Sequence, residues 1–489
     1  MHRRGLARVA MITLLLAVAA ALPVSAQQTP PPIAPPAVAP IEDTTALARE
    51  AVRWLTDLIR INTTNPPGNE QAAAKYIAGV LEKEGVTPEL LEVAPGRSAV
   101  VARLRSAALA DPSRALLLVG HLDVVGVERA RWTVDPFAAV VKDGYLYGRG
   151  SLDDKGMLAA NLAVFIALKR ANARLNRDVI FLATCDEERE GNAPDAGMKT
   201  LIAKYWDKFA AGFALNEGGY VVVKNGKVLY AAVQAIEKVE VNVSVVARGQ
   251  SGHASQPGKD NAVVHLAAAI AKIGTYSAPV RPTAIVRRFF EELARIEDPE
   301  MGKWMRALET SDRGEHAQRV ISETNPLWNS MLRDSIAPTM LSAGAFPSAI
   351  PSEARAVLNI RLVPGDSVNA LVAELTKLVN DPHVRFEVMP GAGFPAPPSA
   401  LDSELYLAIE KASQEQFPGI AVLPLQGSKT TDSAQLRLHK VEAYGLTPFP
   451  MTEEDLRRSH ADDERIPLSA FALGVQFLYR IVSEFAIAK

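Results

Sequence analysis

Two hydrophobic patterns divide the chain. From about residue 42 to 235, short runs that are apolar at nearly every position, ALLLVGHLDVV (115–125) and DVIFLATCDEE (178–188), alternate with longer stretches of helical spacing, KGMLAANLAVFIALKRAN (155–172) and MKTLIAKYWDKFA (198–210), ahead of GFALNEGG (212–219). That alternation predicts an α/β domain, a mainly parallel sheet flanked by helices. At about 237 the pattern changes. KVEVNVSVVARG (238–249) alternates apolar and polar residues, as a strand with one covered face does. A helix is expected from near Pro257, then strands at TMLSAGAF (339–346) and EARAVLNIRLV (353–363), a helix at 366–381 and a strand at VRFEVM (384–389). The order strand, helix, strand, strand, helix, strand predicts an α+β ferredoxin-like domain inserted into the first. The expected organisation is a catalytic part at 41–236, the insertion at 237–391 and a second catalytic part at 392–489. Residues 281–335, rich in Arg and Glu, fit neither pattern.

The amino-terminal 26 residues read as a secretory signal: Arg3, Arg4 and Arg8 precede an apolar run from Val9 to Leu22, and Val24-Ser25-Ala26 forms a small-residue cleavage site. The run is too short to span a membrane. Residues 27–40, QQTPPPIAPPAVAP, form a proline-rich leader. An exported protein, periplasmic or secreted, is expected, with no stable membrane anchor after cleavage. Cys185 is the single cysteine, so no disulfide forms within the chain. Nothing points to nucleic acid, because no basic stripe with interleaved aromatics is present.

The chemistry concentrates at ends of the predicted strands. DVIFLATCDEE closes a core strand with Asp186, Glu187 and Glu188, three adjacent carboxylates that resist burial unless a cation or partner compensates them. His121 and Asp123 follow the preceding strand at a spacing of two, which places both side chains on one face, so that Asp123 can hold the second imidazole nitrogen of a metal-bound His121. The glycine-punctuated YGRGSLDDKG (147–156) carries Asp153 and Asp154, ALNEGG carries Glu217, and RRSHADDE (457–464) carries His460. His121, Asp153, Glu188, Glu217 and His460 together make the two-histidine, three-carboxylate mixture suited to a pair of zinc-like ions.

With that set the sequence resembles the dinuclear zinc metallopeptidases that include aminoacylase, carboxypeptidase G, succinyl-diaminopimelate desuccinylase and carnosinase. KTTDS (429–433) and the long lid bring it closest to the carboxypeptidase S branch. The resemblance implies that Asp153 bridges two zinc ions, cobalt or manganese being alternatives, with His121 and Glu217 on one ion and Glu188 and His460 on the other. It makes Glu187 the general base, Asp123 the residue orienting His121, and Asp186 a supporting or exposed acid. It also implies a cis peptide between Asp153 and Asp154.

In GQSGHASQPGKDNAV (249–263) it marks His253 as an oxyanion donor on a lid and dimerisation domain, commonly serving the partner subunit of a homodimer. In NIRLVPGD (359–366) it marks Arg361 as the reader of a substrate carboxylate. The implied reaction is cleavage of the amide bond of a peptide or N-acyl amino acid by water activated to hydroxide between the ions. An aminopeptidase or dipeptidase reading the amino end, or a non-catalytic metal or peptide binding protein, is the alternative. Ser348-Ala349-Ile350-Pro351 departs from the Asn-Val-Ile-Pro of many relatives, and CDEEREGN lacks their Gly-Ser after the glutamates. These departures bear on specificity.

Overall fold

The computed structural model describes residues 44–106, 111–189, 197–391 and 393–488; the expected signal and leader lie outside the described residues. The two apolar runs are strands buried on both faces, Leu116–His121 and Val179–Thr184. They pair in parallel with His121 opposite Thr184, and Phe213–Asn216 lies parallel on the other side of Leu116–His121. These three strands form the middle of a ten-stranded mixed sheet. Antiparallel hairpins, Glu89–Ala94 with Arg97–Leu104 and Tyr220–Lys224 with Lys227–Glu237, extend it in either direction. Helix Lys155–Arg170 is buried from Lys155 to Leu168 because it lies between the sheet and the helices Thr44–Arg60 and Leu468–Ala486. On the opposite face Leu201 and Phe209 of helix Gly197–Phe209 pack with Ile180 and Leu182. No described helix is long and apolar enough to cross a membrane.

A separate four-stranded antiparallel sheet is ordered Ser335–Ala343, Glu353–Leu362, Val239–Arg248, Val384–Val388. Its first and third strands in sequence are neighbours, as in a ferredoxin-like unit. The alternation in Val239–Arg248 sends Val241, Val243 and Val245 into a cluster with Leu266, Ile273, Leu371 and Leu375 of helices Ala262–Gly274 and Val368–Val379. The helix expected from Pro257 begins later, at Ala262, where the Asn261 side chain accepts from Val263 and Val264 N–H groups and closes its first turn.

The segment without a clear pattern is helical: Ala284–Leu293, Pro299–Arg306, Gly314–Thr324 and Pro326–Leu332. Phe289, Phe290, Met305, Ile321, Trp328 and Met331 pack against Val222, Tyr230, Leu423 and Leu425 of the large sheet. The excursion therefore covers the large sheet rather than extending the small one.

Candidate metal centre

Parallel register brings the carboxyl ends of the central strands to one edge of the sheet, where ligands are gathered in α/β folds. His121 ends its strand there, Glu187 and Glu188 follow Val179–Thr184, and Glu217 follows Phe213–Asn216. Asp153, just ahead of helix Lys155–Arg170, occupies the middle of the group. Its Oδ1 lies 3.1 Å from Nε2 of His121 and its Oδ2 lies 3.2 Å from Nε2 of His460. Glu217 Oε1 stands 3.6 Å from His121 Nε2, and Glu188 Oε1 stands 2.8 Å from His460 Nε2. Two histidine–carboxylate sets thus share one carboxylate, and the Asp153–Asp154 peptide is cis.

The electrostatics suit cations. Burial, with the charges of Glu217 and Glu188 nearby, pushes the Glu187 carboxyl well above its ordinary range. Burial and then the Asp153 charge push Glu217 up to about 8. Burial opposes ionisation of Asp153 too, but Lys429, His121 and His460 hold it well below the usual range. Lys429 Nζ donates to Asp153 Oδ2 at 3.0 Å and Ser459 Oγ donates to the same oxygen at 2.6 Å. Lys429 opens the KTTDS motif and Ser459 precedes His460, but no sequence pattern places either at the cluster. A set this crowded is fully ionised only with positive charge among its oxygens. Imidazole nitrogens facing carboxylate oxygens are the donor set of divalent first-row ions, so the residues present fit such a pair.

The turn that carries the acids is fixed by Asp123, in a way that modifies its expected role. The closest partner of His121 Nδ1 is the backbone carbonyl of Asp123, at 3.0 Å, while the Asp123 carboxylate stands 3.6 Å away. That carboxylate mainly accepts the N–H groups of Glu187 and Glu188, at 3.1 and 2.9 Å, and the Asn65 amide at 2.8 Å. Asp123 therefore positions the backbone of Glu187 and Glu188 as well as the imidazole. Asp186 is a supporting acid and not an exposed one. It is buried, accepts from Asn65 at 3.0 Å and pairs at 2.7 Å with Arg97, which also pairs with buried Glu70.

A second support joins the loops of Asp153 and His460. Glu464 is fully buried and accepts the N–H groups of Leu152 and Asp153 at 2.8 and 3.2 Å. Its other oxygen pairs with buried Arg149, whose guanidinium donates to the carbonyls of His460 and Ala461. Removing one partner of such a buried pair leaves an uncompensated charge. Glu464→Ala should lower the unfolding free energy by about 3–5 kcal/mol. An unchanged urea midpoint at unchanged slope would refute that role.

Across from the cluster, the polar face of the small sheet closes a cavity of about 650 Å³, in which Asp153, Glu187, Glu188, Glu217 and His460 face Asn242, Asn359 and Arg361. Arg361 donates from Nε to Asn359 at 3.0 Å and lies 3.2 Å from Glu240. Asn242 and Asn359 supply side-chain amides to this cavity, although the Asn-Val-Ile-Pro position of relatives holds Ser348 here. His253 does not join the group. It is exposed, bonds Ser255 Oγ through Nδ1 at 2.7 Å, and sits where Gly252–His253 pairs with Ala349–Ile350. His265 and His383, which stood in no sequence motif, stack at 4.5 Å on the lid beside Asp260 and Asp381.

Known proteins share both sequence and fold with this chain. It is 28% identical over 384 residues to Probable carboxypeptidase S-like 2 of Dictyostelium discoideum, covering 76% of this chain and 72% of that one. It is 29% identical over 395 residues to the human N-fatty-acyl-amino acid synthase/hydrolase PM20D1, covering 76% and 74%. Among solved structures, an M20 family metallo-carboxypeptidase from Sulfolobus solfataricus superposes with a TM-score of 0.65 at 18% identity, over 89% of this chain and 99% of that one. Human carnosine dipeptidase 1 gives 0.61 at 19%, over 90% and 97%. The sequence pattern of peptidase family M20/M25/M40 matches residues 117–484, a span that holds every residue of the cluster from His121 to His460, and the chain belongs to that family of metallohydrolases.

Proposed function

We propose that this enzyme is exported, binds two zinc ions, and hydrolyses the amide bond of a peptide or N-acyl amino acid that carries a free carboxylate. The observation that carries the reading is Asp153 between two histidine–carboxylate sets, with Glu187 beside them and Arg361 across the same cavity. Names of relatives, a carboxypeptidase S-like protein and an N-fatty-acyl-amino acid synthase/hydrolase, support the substrate class, and the signal pattern of residues 1–26 supports export.

His121, Asp153 and Glu217 would hold one ion and Asp153, Glu188 and His460 the other. When bound, the pair supplies an activated water and polarises the scissile carbonyl. Glu187 takes the proton of that water and returns it to the leaving nitrogen. Arg361 fixes the substrate carboxylate, its five N–H donors exceeding what Asn359 and Glu240 use. His253 donates to the developing oxyanion. Because the cavity of one chain leaves His253 outside, we assign this task to a homodimer. The edge strand Ser335–Ala343 has unpaired backbone groups on its outer side and exposes Met340 and Leu341, so a second copy can extend the sheet.

Protein recovered from outside the cytoplasm should begin at Gln27, carry close to two zinc-like ions per chain by elemental analysis, and cleave N-acyl amino acids but not their methyl esters. Metal-free protein with chelator-insensitive activity would refute the dinuclear reading. Equal cleavage of esters and acids would refute carboxylate recognition and leave the amino-end alternative standing.

A further inference from the structure

We propose that the lid carries a metal site of its own, in which Asp260, His265 and His383 bind one zinc-class divalent ion and so anchor the loop that presents His253. The site shares no residue with the cluster around Asp153 or with its cavity. Only the meaning of an anchored His253 rests on the hydrolase reading. Three segments supply the donors. Asp260 precedes helix Ala262–Gly274, His265 lies in its first turn, and His383 stands just ahead of strand Val384–Val388. Their ligand atoms lie within 4.8 Å of one another.

The hydrogen bonds leave one donor ready for a cation. Nδ1 of His265 meets Asp381 Oδ2 at 2.6 Å, and the other Asp381 oxygen accepts the His383 N–H at 2.9 Å. A carboxylate at Nδ1 takes the proton-bearing side of the ring, so Nε2 presents a lone pair, the arrangement that supports metal-bound histidines. That Nε2 faces Asp260 Oδ1 at 3.3 Å, both atoms are shielded from solvent, and neither has a hydrogen-bond partner. Lone pairs so placed oppose each other unless positive charge lies between them. His383 brings the third donor: its Nδ1 is 3.6 Å from the same oxygen, and its ring stacks on His265 at 4.5 Å. Zinc bonds of about 2.0–2.1 Å at a tetrahedral angle set donor atoms roughly 3.3 Å apart, so these separations suit that ion. The Asp260 and His383 side chains are 42% and 43% exposed, which leaves a fourth position to water.

The place of the site in the fold gives the ion a task. The Asp260 carbonyl accepts the Gln250 N–H at 3.2 Å, closing a loop, and the His383 carbonyl accepts the Arg248 N–H at 2.9 Å. His253 lies within that loop, so tying Asp260 to two histidines fixes its base. An ion held by three side chains and open to water is bound less firmly than a pair sharing Asp153. Protein purified with the cluster filled should therefore take it up from added zinc.

Equilibrium dialysis of the full chain against micromolar zinc, with metal counted before and after, tests the site. Wild type should gain one ion per chain, and Asp260→Asn, His265→Ala and His383→Ala should each lose that gain. Asp260→Asn keeps the side chain's size, so uptake lost there is not lost folding. Excess magnesium should not displace the ion, because imidazole nitrogen suits zinc and not a hard cation. In wild type alone, zinc should slow amide hydrogen exchange across residues 250–260 about tenfold or more. No gain in wild type, or the same gain in all three variants, would overturn the site. Displacement by magnesium would overturn the class of ion, and a gain with unchanged exchange would overturn the anchoring of the loop. Failure of the hydrolase reading would show separately, as absence of amide cleavage by metal-loaded enzyme, and would leave the gain of one ion intact.

Discussion

Glu187→Gln should retain its metal ions and lose about two to four decades of kcat, with KM little changed, the signature of a group that acts on a proton in the transition state. Glu187 stands where that role requires. Its backbone is held by Asp123, its side chain lines the cavity that Arg361 closes, and burial with the nearby Glu217 and Glu188 charges raises its proton affinity. Those neighbours also make the assignment one that geometry alone does not separate from ligation, because Glu187, His121 and Glu217 place their donor atoms within 4.8 Å of one another. Glutamine keeps the volume and one carbonyl oxygen but cannot take a proton. A variant that lost one ion per chain and regained activity when metal was added would show that Glu187 is the ligand and Glu188 the base. Full activity with two ions would remove Glu187 from proton transfer altogether.

What the sequence revealed of this site depended on whether a residue's task was written next to it. His121, Glu188 and Glu217 were legible because each follows an apolar run that ends in a polar group, and parallel pairing puts such ends together whatever the rest of the chain does. Asn65, Arg97, Arg149 and Glu464 were not. Their partners lie far along the chain, such as Glu464 on the Asp153 N–H and Asn65 on the Asp186 carboxylate, and no local spacing encodes those pairings. Lys429 was visible as the first residue of KTTDS, but its contact with Asp153, 276 positions away, was not.

The helices between 284 and 332 present a different case. Their caps were in the sequence: Thr283 ahead of one helix, Asp298-Pro299 and Asn325-Pro326 at the start of two others, each with its side-chain oxygen accepting a first-turn N–H. Charge obscured them, since their apolar residues are interrupted by Arg and Glu on the outward faces. The lid order was legible from its alternation, and the same alternation gave its polar face to the cavity, where Asn242, Asn359 and Arg361 meet the cluster.

His253→Ala should depress kcat by about two to three decades and change KM far less, because a donor to an oxyanion is engaged mainly in the transition state. In a single chain nothing prepares His253 for this. The ring is exposed, its Nδ1 is taken by Ser255, and it does not line the cavity that holds Glu187 and Arg361. Its Nε2 is left to reach outward, from a strand pair on the same lid whose edge strand is free to meet a second copy. If that copy's cluster is the target, damage to the two residues must complement. Glu187→Gln and His253→Ala protomers are each nearly inactive alone, but a mixed dimer contains one site in which both residues are intact. After random subunit exchange half of the dimers are mixed and each has one working site of two, so activity should recover to about a quarter of the wild-type value. The recovery must follow exchange measured independently, for example by energy transfer between labelled protomers. Demonstrated exchange without recovery, or sedimentation as a monomer at full activity, would defeat the cross-subunit assignment. The lid would then have to close over its own cluster for His253 to act at all.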